Sequence, residues 1–235
     1  MTALMLMVAL AAPASHKAWC DGLTQKVLAE TTRVETLEPY VTAVGQRLLA
    51  ARWRPSGPFA FYVYQSGEPN AFALCGGRVF VSTALLALVE DEHELAGVLA
   101  HEVVHNTERH VVRMHRKQRV LKDVVGAAGG PVAILPLLVG TLGMLHASRE
   151  YEEDADEDGV KLAMLAGYDG RGLLRFLARV ESNAGLRILR SHPELRHRQH
   201  KITVDLRKME FLGFRPTRDA TPPEFVAMKA ALKST

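Results

Sequence analysis

The sequence is short of cysteine, of net charge and of repetition. Its 235 residues hold two cysteines, Cys20 and Cys75. Two allow at most one intrachain disulfide, which excludes a disulfide-dense mini-protein and a four-cysteine zinc site. The net charge is +3 with histidine neutral. A balance that small lacks the basic stripe of a dedicated nucleic-acid binder, so no nucleic-acid partner is expected. No internal repeat and no low-complexity linker divides the chain, which argues for one domain. What is present is ordinary for a globular protein: 48% hydrophobic and 23% charged residues, in a chain long enough to bury a sizeable core.

The N-terminus lacks something as well. Residues 3–12 form an apolar run of signal-peptide length, followed by Ala12-Pro13-Ala14, but no Lys or Arg precedes the run. It is too short for a membrane-spanning helix, which needs about 20 apolar residues. Residues 1–14 are read as a signal peptide, which places the protein outside the cytoplasm, in a periplasmic or membrane-associated location. A buried helix is the alternative. In an oxidising compartment Cys20 and Cys75 can bridge; two buried thiols are the other outcome.

Apolar spacing predicts a helix or helix pair over residues 23–50, broken near Pro39. Residues 59–64 read as a strand, and residues 70–75 and 78–82 as two more, joined at Gly76-Gly77. A Gly-Gly pair supplies the positive φ of a tight hairpin turn. Helical spacing then runs almost without pause from Thr83 to about Arg119, and again over residues 148–167 and 172–183. A basic, His-rich stretch starts at Ser191, and a Pro-rich patch precedes a short final helix. The expected fold is α+β, mostly helical, with a small antiparallel sheet. The domain is set at residues 20–210, with 211–235 as a short C-terminal tail.

His101-Glu102-Val103-Val104-His105 is the decisive motif. On a helix, residues i and i+4 lie one above the other, so both imidazoles can grip one metal ion. Glu102 lies about 100° round the helix. Its carboxylate therefore sits beside the metal, where it can take a proton from the attacking water. Leu95, Val98 and Leu99 give the segment an apolar face, and neither Gly nor Pro falls between Val98 and Val112.

Catalytic zinc needs three protein ligands and one open position. The extended pattern with a third histidine is excluded, because Glu108 and Val111 stand where it needs Gly and His. An acidic ligand from a later helix remains. In the acidic run from Glu150 to Asp156, Glu152 and Asp156 share a helical face. Glu152 can bind the metal while Asp156 accepts the spare N–H of a ligand histidine and fixes its ring.

These residues resemble the HtpX-like and BepA-like zinc metallopeptidases, relatives of the CAAX prenyl protease and of the mitochondrial Oma-type protease. Four blocks carry the resemblance, over roughly residues 60–200. They are Asn70-Ala71-Phe72-Ala73 with Gly76-Gly77 and residues 79–82; residues 94–105 extended through Arg109-His110; Ser148-Arg149 with Glu152 and Asp156; and Ser191-His192-Pro193 with Arg198. The resemblance implies a zincin-like fold with the sheet beside the motif helix, and one zinc per chain held by His101, His105 and Glu152. It implies Glu102 as catalytic base, Asp156 as the aspartate behind a ligand, and polypeptide substrates. It also implies that His192 can approach the zinc and plug the site. Asp154 and Cys75 depart from the family pattern, which usually has glutamate and often has proline there.

The expected reaction is hydrolysis of internal peptide bonds in unfolded or misassembled chains. An extended substrate would add to a free strand edge, either residues 70–74 or residues 79–82. Arg198 is expected to pair with a carboxylate near the site. Residues 124–147 are uncharged and long enough to span a membrane, but one crossing would part His101 from Glu152. They are read as an apolar hairpin packed over the site or touching a membrane surface. The competing functional classes are a non-catalytic metal-binding or holdase module and a membrane-integrated protease.

Overall fold

The computed structural model describes residues 16–51, 57–116, 149–182 and 195–233. Two helices open the chain, α1 (His16–Glu30) and α2 (Glu38–Ala50). The break lies before Pro39 rather than at it, because Pro39 sits in the first turn of α2, where its missing N–H costs nothing.

Three strands follow: β1 (Ala60–Tyr64), β2 (Ala71–Leu74) and β3 (Arg78–Ser82). Gly76 and Gly77, at φ 83° and 78°, close the antiparallel β2–β3 hairpin as the sequence suggests. The sheet as a whole is not antiparallel. Its order is β1-β3-β2, and β1 runs parallel to β3. The chain between β1 and β2 carries the hairpin round so that β3, not β2, lies against β1. Residues 79–82 therefore sit in the middle of the sheet and offer no free edge, while β2 is an edge strand.

The sheet is covered on both faces, with the side chains alternating at period 2. Phe61, Val63, Val79 and Val81 join the main core. Tyr64, Phe72, Leu74 and Phe80 pack under α1 with Val27. A disulfide between Cys20 and Cys75 ties α1 to the end of the hairpin. Closing its loop is worth about 4 kcal/mol in the chain-entropy picture.

After the short α3 (Thr83–Leu88), extended backbone at Val89 and an Asp91 cap reset the chain for α4 (Glu92–Thr107). The Asp91 side chain accepts from the Glu94 N–H at 2.8 Å. Every residue of α4 from Glu92 to His105 is buried, which makes it the central helix. It packs on α2, on β2 and β3, and on α5 (Arg149–Leu165) and α6 (Arg171–Ser182). The close approach of α6 depends on small residues: a Cβ on Gly97 would lie 2.7 Å from the Leu173 nitrogen.

From Leu195 the His-rich stretch forms a long helix, α7 (Leu195–Phe211), that apolar spacing does not reveal. Its buried stripe of Ile202, Leu206 and Met209 is headed by a buried Arg198 and carries a buried Asp205. The segment after residue 210 is no separate tail. Phe225 and Met228 of α8 (Pro223–Leu232) join the main core, and Lys229 donates to the carbonyls of Leu86, Ala87 and Val89. No helix among the described residues is long and apolar enough to cross a membrane. The proposed signal at 1–14 and the apolar stretch at 124–147 lie outside those residues.

Candidate metal centre

Two neighbouring helices build the site. α4 presents His101 and His105 from consecutive turns, and α5 presents Glu152 and Asp156 in the same way. The acidic run of α5 is thus split by helical geometry. Glu152 and Asp156 turn inward and are 1% exposed, whereas Asp154 and Asp158 face solvent. Gly159 lets the helices meet at this point, since a Cβ there would lie 3.1 Å from the His101 nitrogen.

Donor atoms of His101, His105 and Glu152 converge, all buried and within 4.8 Å of one another. The two Nε2 atoms are 3.0 Å apart. Glu152 places Oε2 3.5 Å from His101 Nε2 and Oε1 3.4 Å from His105 Nε2. A tetrahedral ion with bonds of about 2.0–2.1 Å holds its ligands about 3.3 Å apart, so this triangle fits zinc. The charge balance fits as well. Three buried carboxylates, Glu102, Glu152 and Asp156, face one buried guanidinium, Arg198. With His101 deprotonated, as a metal ligand must be, the two negative charges left over suit a divalent cation.

Asp156 works behind the triangle. Its Oδ1 lies 3.0 Å from His101 Nδ1. Arg198 grips the same carboxylate with two bonds of 2.7 Å and reaches Glu152 Oε2 at 3.1 Å. Burial opposes the Asp156 charge, but the Arg198 guanidinium outweighs it and holds the carboxyl below the usual range. Burial also opposes an imidazolium at His101, yet the bonds to Asp156 and Glu152 raise that ring to about 9. At His105 burial prevails and, with the neighbouring His101 charge, lowers the pKa. Farther along, burial and then the charges of His105 and Arg113 push His110 down to about 3.

The structure brings together His101, Glu102, His105, Glu152, Asp156 and Arg198. Glu102 is 1% exposed and lies close enough for its charge to act on both His105 and Arg198. His192 lies outside the described residues. The strand at Asn70, Ala71, Phe72 and Ala73 borders α4. Asn70 exchanges bonds with Ser82: its carbonyl accepts from the Ser82 N–H at 2.9 Å, and its own N–H donates to Ser82 Oγ at 2.8 Å. Pairing alternates along an antiparallel ladder. Phe72 and Leu74 therefore bond to β3, and Ala71 and Ala73 turn their amides toward the sheet edge.

Asn106 escapes a reading of the motif alone. Its Oδ1 accepts from the Gly77 N–H at 3.0 Å and its Nδ2 donates to the Arg78 carbonyl at 3.1 Å, clipping the hairpin to the helix that carries His105. Its only sequence signal is an amide directly after the second histidine.

The chain is similar to known peptidases over the same region. It is 32% identical over 176 residues to the beta-barrel assembly-enhancing protease of Escherichia coli, covering 67% of this chain and 36% of that protein. It is 30% identical over 174 residues to the mitochondrial metalloendopeptidase OMA1 of Schizosaccharomyces pombe, covering 69% of this chain and 51% of that one. The chain thus spans about a third to a half of the length of these relatives. The model of peptidase family M48 matches residues 35–204, a span that contains α4, α5 and Arg198. With the cluster and most of the domain inside that match, the chain belongs to peptidase family M48.

Proposed function

We propose that this chain is a zinc-dependent endopeptidase that cleaves internal bonds of unfolded or misassembled polypeptides, in protein quality control. The observation that carries the reading is the buried triangle of His101, His105 and Glu152, whose spacing and net charge suit one zinc ion. A zinc ion held there would supply a water of lowered pKa and polarise a carbonyl.

The rest of the chemistry belongs to the chain. Glu102 takes the proton of the attacking water and delivers it to the leaving amine. Asp156 and Arg198 keep His101 and Glu152 in place. β2, although Ala71 and Ala73 are each 1% exposed in this structure, is the edge on which an extended substrate would add as a strand, a mode that reads backbone rather than side chains and favours unfolded chains. The names of the relatives, a beta-barrel assembly-enhancing protease and a metalloendopeptidase, support the same reading. The Cys20–Cys75 disulfide supports export to an oxidising compartment.

Glu102→Gln tests the division of labour. The variant keeps size and hydrogen bonding but cannot accept the proton. It should hold zinc as the parent does, while cleavage of casein falls at least ~100-fold. Loss of zinc would make Glu102 a ligand or a structural support. Full cleavage would assign the proton to another base. A zinc-loaded parent that cleaves nothing would favour a binding module.

A further inference from the structure

His110 is buried, lies next to the metal triangle and has no part in the reaction described above. α4 ends at Thr107, and Arg109 adopts φ 56°, the only positive value at a non-glycine among the described residues. The chain is helical again from residue 110. This single left-handed residue, a conformation that side chains disfavour, turns His110 back toward His105. The His110 ring is 1% exposed and stacks on Tyr151, with centroids 4.5 Å apart and planes 13° apart. Its Nδ1 lies 3.0 Å from Nδ1 of His105. Its Nε2 faces Asp154 Oδ2 at 4.0 Å.

The two close nitrogens have a defined order of donor and acceptor. His105 points Nε2 at His101 and Glu152. A nitrogen that binds a metal carries no proton, so the His105 proton sits on Nδ1. That N–H then donates to His110 Nδ1, which must be bare, and His110 keeps its own proton on Nε2, on the side of Asp154. The bond sets both the tautomer and the tilt of the His105 ring.

We propose that His110 is the positioning residue of the metal centre, the acceptor that holds His105 in its metal-binding tautomer and orientation. The two histidine ligands are then supported unequally. His101 is backed by the Asp156 carboxylate, and His105 by a neutral ring. A carboxylate behind a ligand raises its basicity. Three carboxylates already lie buried at the site, and a fourth behind His105 would exceed the charge of one divalent ion. A histidine orients the ring without adding that charge.

This inference rests on the zinc-site reading, and the experiment separates the two. Zinc affinity of the purified full chain is measured by competition with a chromophoric chelator, alongside the visible absorption of the cobalt(II)-loaded chain. His110→Phe keeps a flat ring for Tyr151 but has no acceptor. His110→Asn places an amide oxygen near the former Nδ1. His110→Ala removes ring and acceptor together without added bulk, should the Phe variant fail to fold. The expected result is zinc binding weaker by about 10- to 100-fold in the Phe and Ala variants, the usual cost of losing such a partner. Their cobalt bands should shift, and the Asn variant should recover most of the affinity and the parent spectrum. Parent-like zinc binding and spectrum in folded Phe or Ala variants would overturn the proposal and leave His110 as packing. An Asn variant as weak as the Phe variant would also overturn it. A parent chain that takes up no zinc would overturn the site reading itself, and this proposal with it.

Discussion

Helix α4 buries charge at both ends, and the two ends handle it differently. At the start, each buried carboxylate has its own guanidinium. Glu92 accepts from Arg47 at 2.7 Å, from Tyr40 at 2.6 Å and from Tyr168 at 3.2 Å. Glu94 is gripped by Arg179 with bonds of 2.6 and 2.8 Å. At the far end, Glu102, Glu152 and Asp156 share one buried guanidinium among the described residues, that of Arg198. A buried charge is tolerated only when paired. The matched end anchors the helix, and the unmatched end is a place for a cation. Burial alone does not separate structural from functional carboxylates; the local charge balance does.

The largest effect that would sharpen this contrast is loss of the metal. His101→Ala, His105→Ala or Glu152→Ala should each empty a site that otherwise holds about one zinc per chain, and with it abolish cleavage. Glu94→Gln, at the matched end, should retain zinc, as measured by metal analysis of folded protein. Full occupancy in Glu152→Ala would break the comparison by removing the third ligand.

Next comes removal of the guanidiniums. Arg198→Leu strands two buried carboxylates and should destabilise the metal-free protein by about 3–5 kcal/mol. Arg179→Leu leaves the fully buried Glu94 with Arg175, at 3.7 Å, as its remaining guanidinium, so about 3 kcal/mol, the low end of that range, is expected. Denaturant unfolding with and without zinc distinguishes them. Added zinc should recover part of the Arg198→Leu loss, because the ion replaces the missing positive charge. In Arg179→Leu zinc should add no more stability than it adds to the parent. Equal recovery in both would mean that the two ends are not electrostatically distinct.

The smallest effects concern helix spacing. Gly97→Ala forces a Cβ against the α6 backbone and should cost about 1–3 kcal/mol without a change in zinc affinity. Gly159→Ala, where the contact at His101 is less tight, should cost about 1 kcal/mol and weaken zinc binding measurably. Thermal unfolding and chelator competition on the same two variants check this.

Much of the fold was legible because periodicity survives without partners. The β2–β3 hairpin follows from Gly76-Gly77, which take positive φ as the turn requires. α4 and α5 follow from apolar spacing and acidic patterning. Other features were hidden for local reasons. The helix at Arg198 was obscured because its buried face carries Arg198 and Asp205 beside its apolar residues. The parallel pairing of β1 with β3 depends on how the hairpin is carried across the sheet, which a strand's own composition does not record. The interruptions at Val89 and Arg109 lie inside what reads as one long helix. Asn106 and Gly159 have meaning only through what stands opposite them.

The sequence by itself determined the chemistry within reach: two histidines and a glutamate on one helix, and two carboxylates on one face of another. Helical geometry alone aligns residues four apart, so these pairings needed no knowledge of the fold. Tertiary structure decided what those pairs meet. It brought Glu152 to both histidines, assigned Arg198 to Asp156 and Glu152, set His110 behind His105 and left β2 at the sheet's edge. Apart from the His105–His110 contact, which spans five positions, these contacts join residues tens of positions apart. They follow from how closely helices and strands can pack, and from the need of every buried charge for a partner.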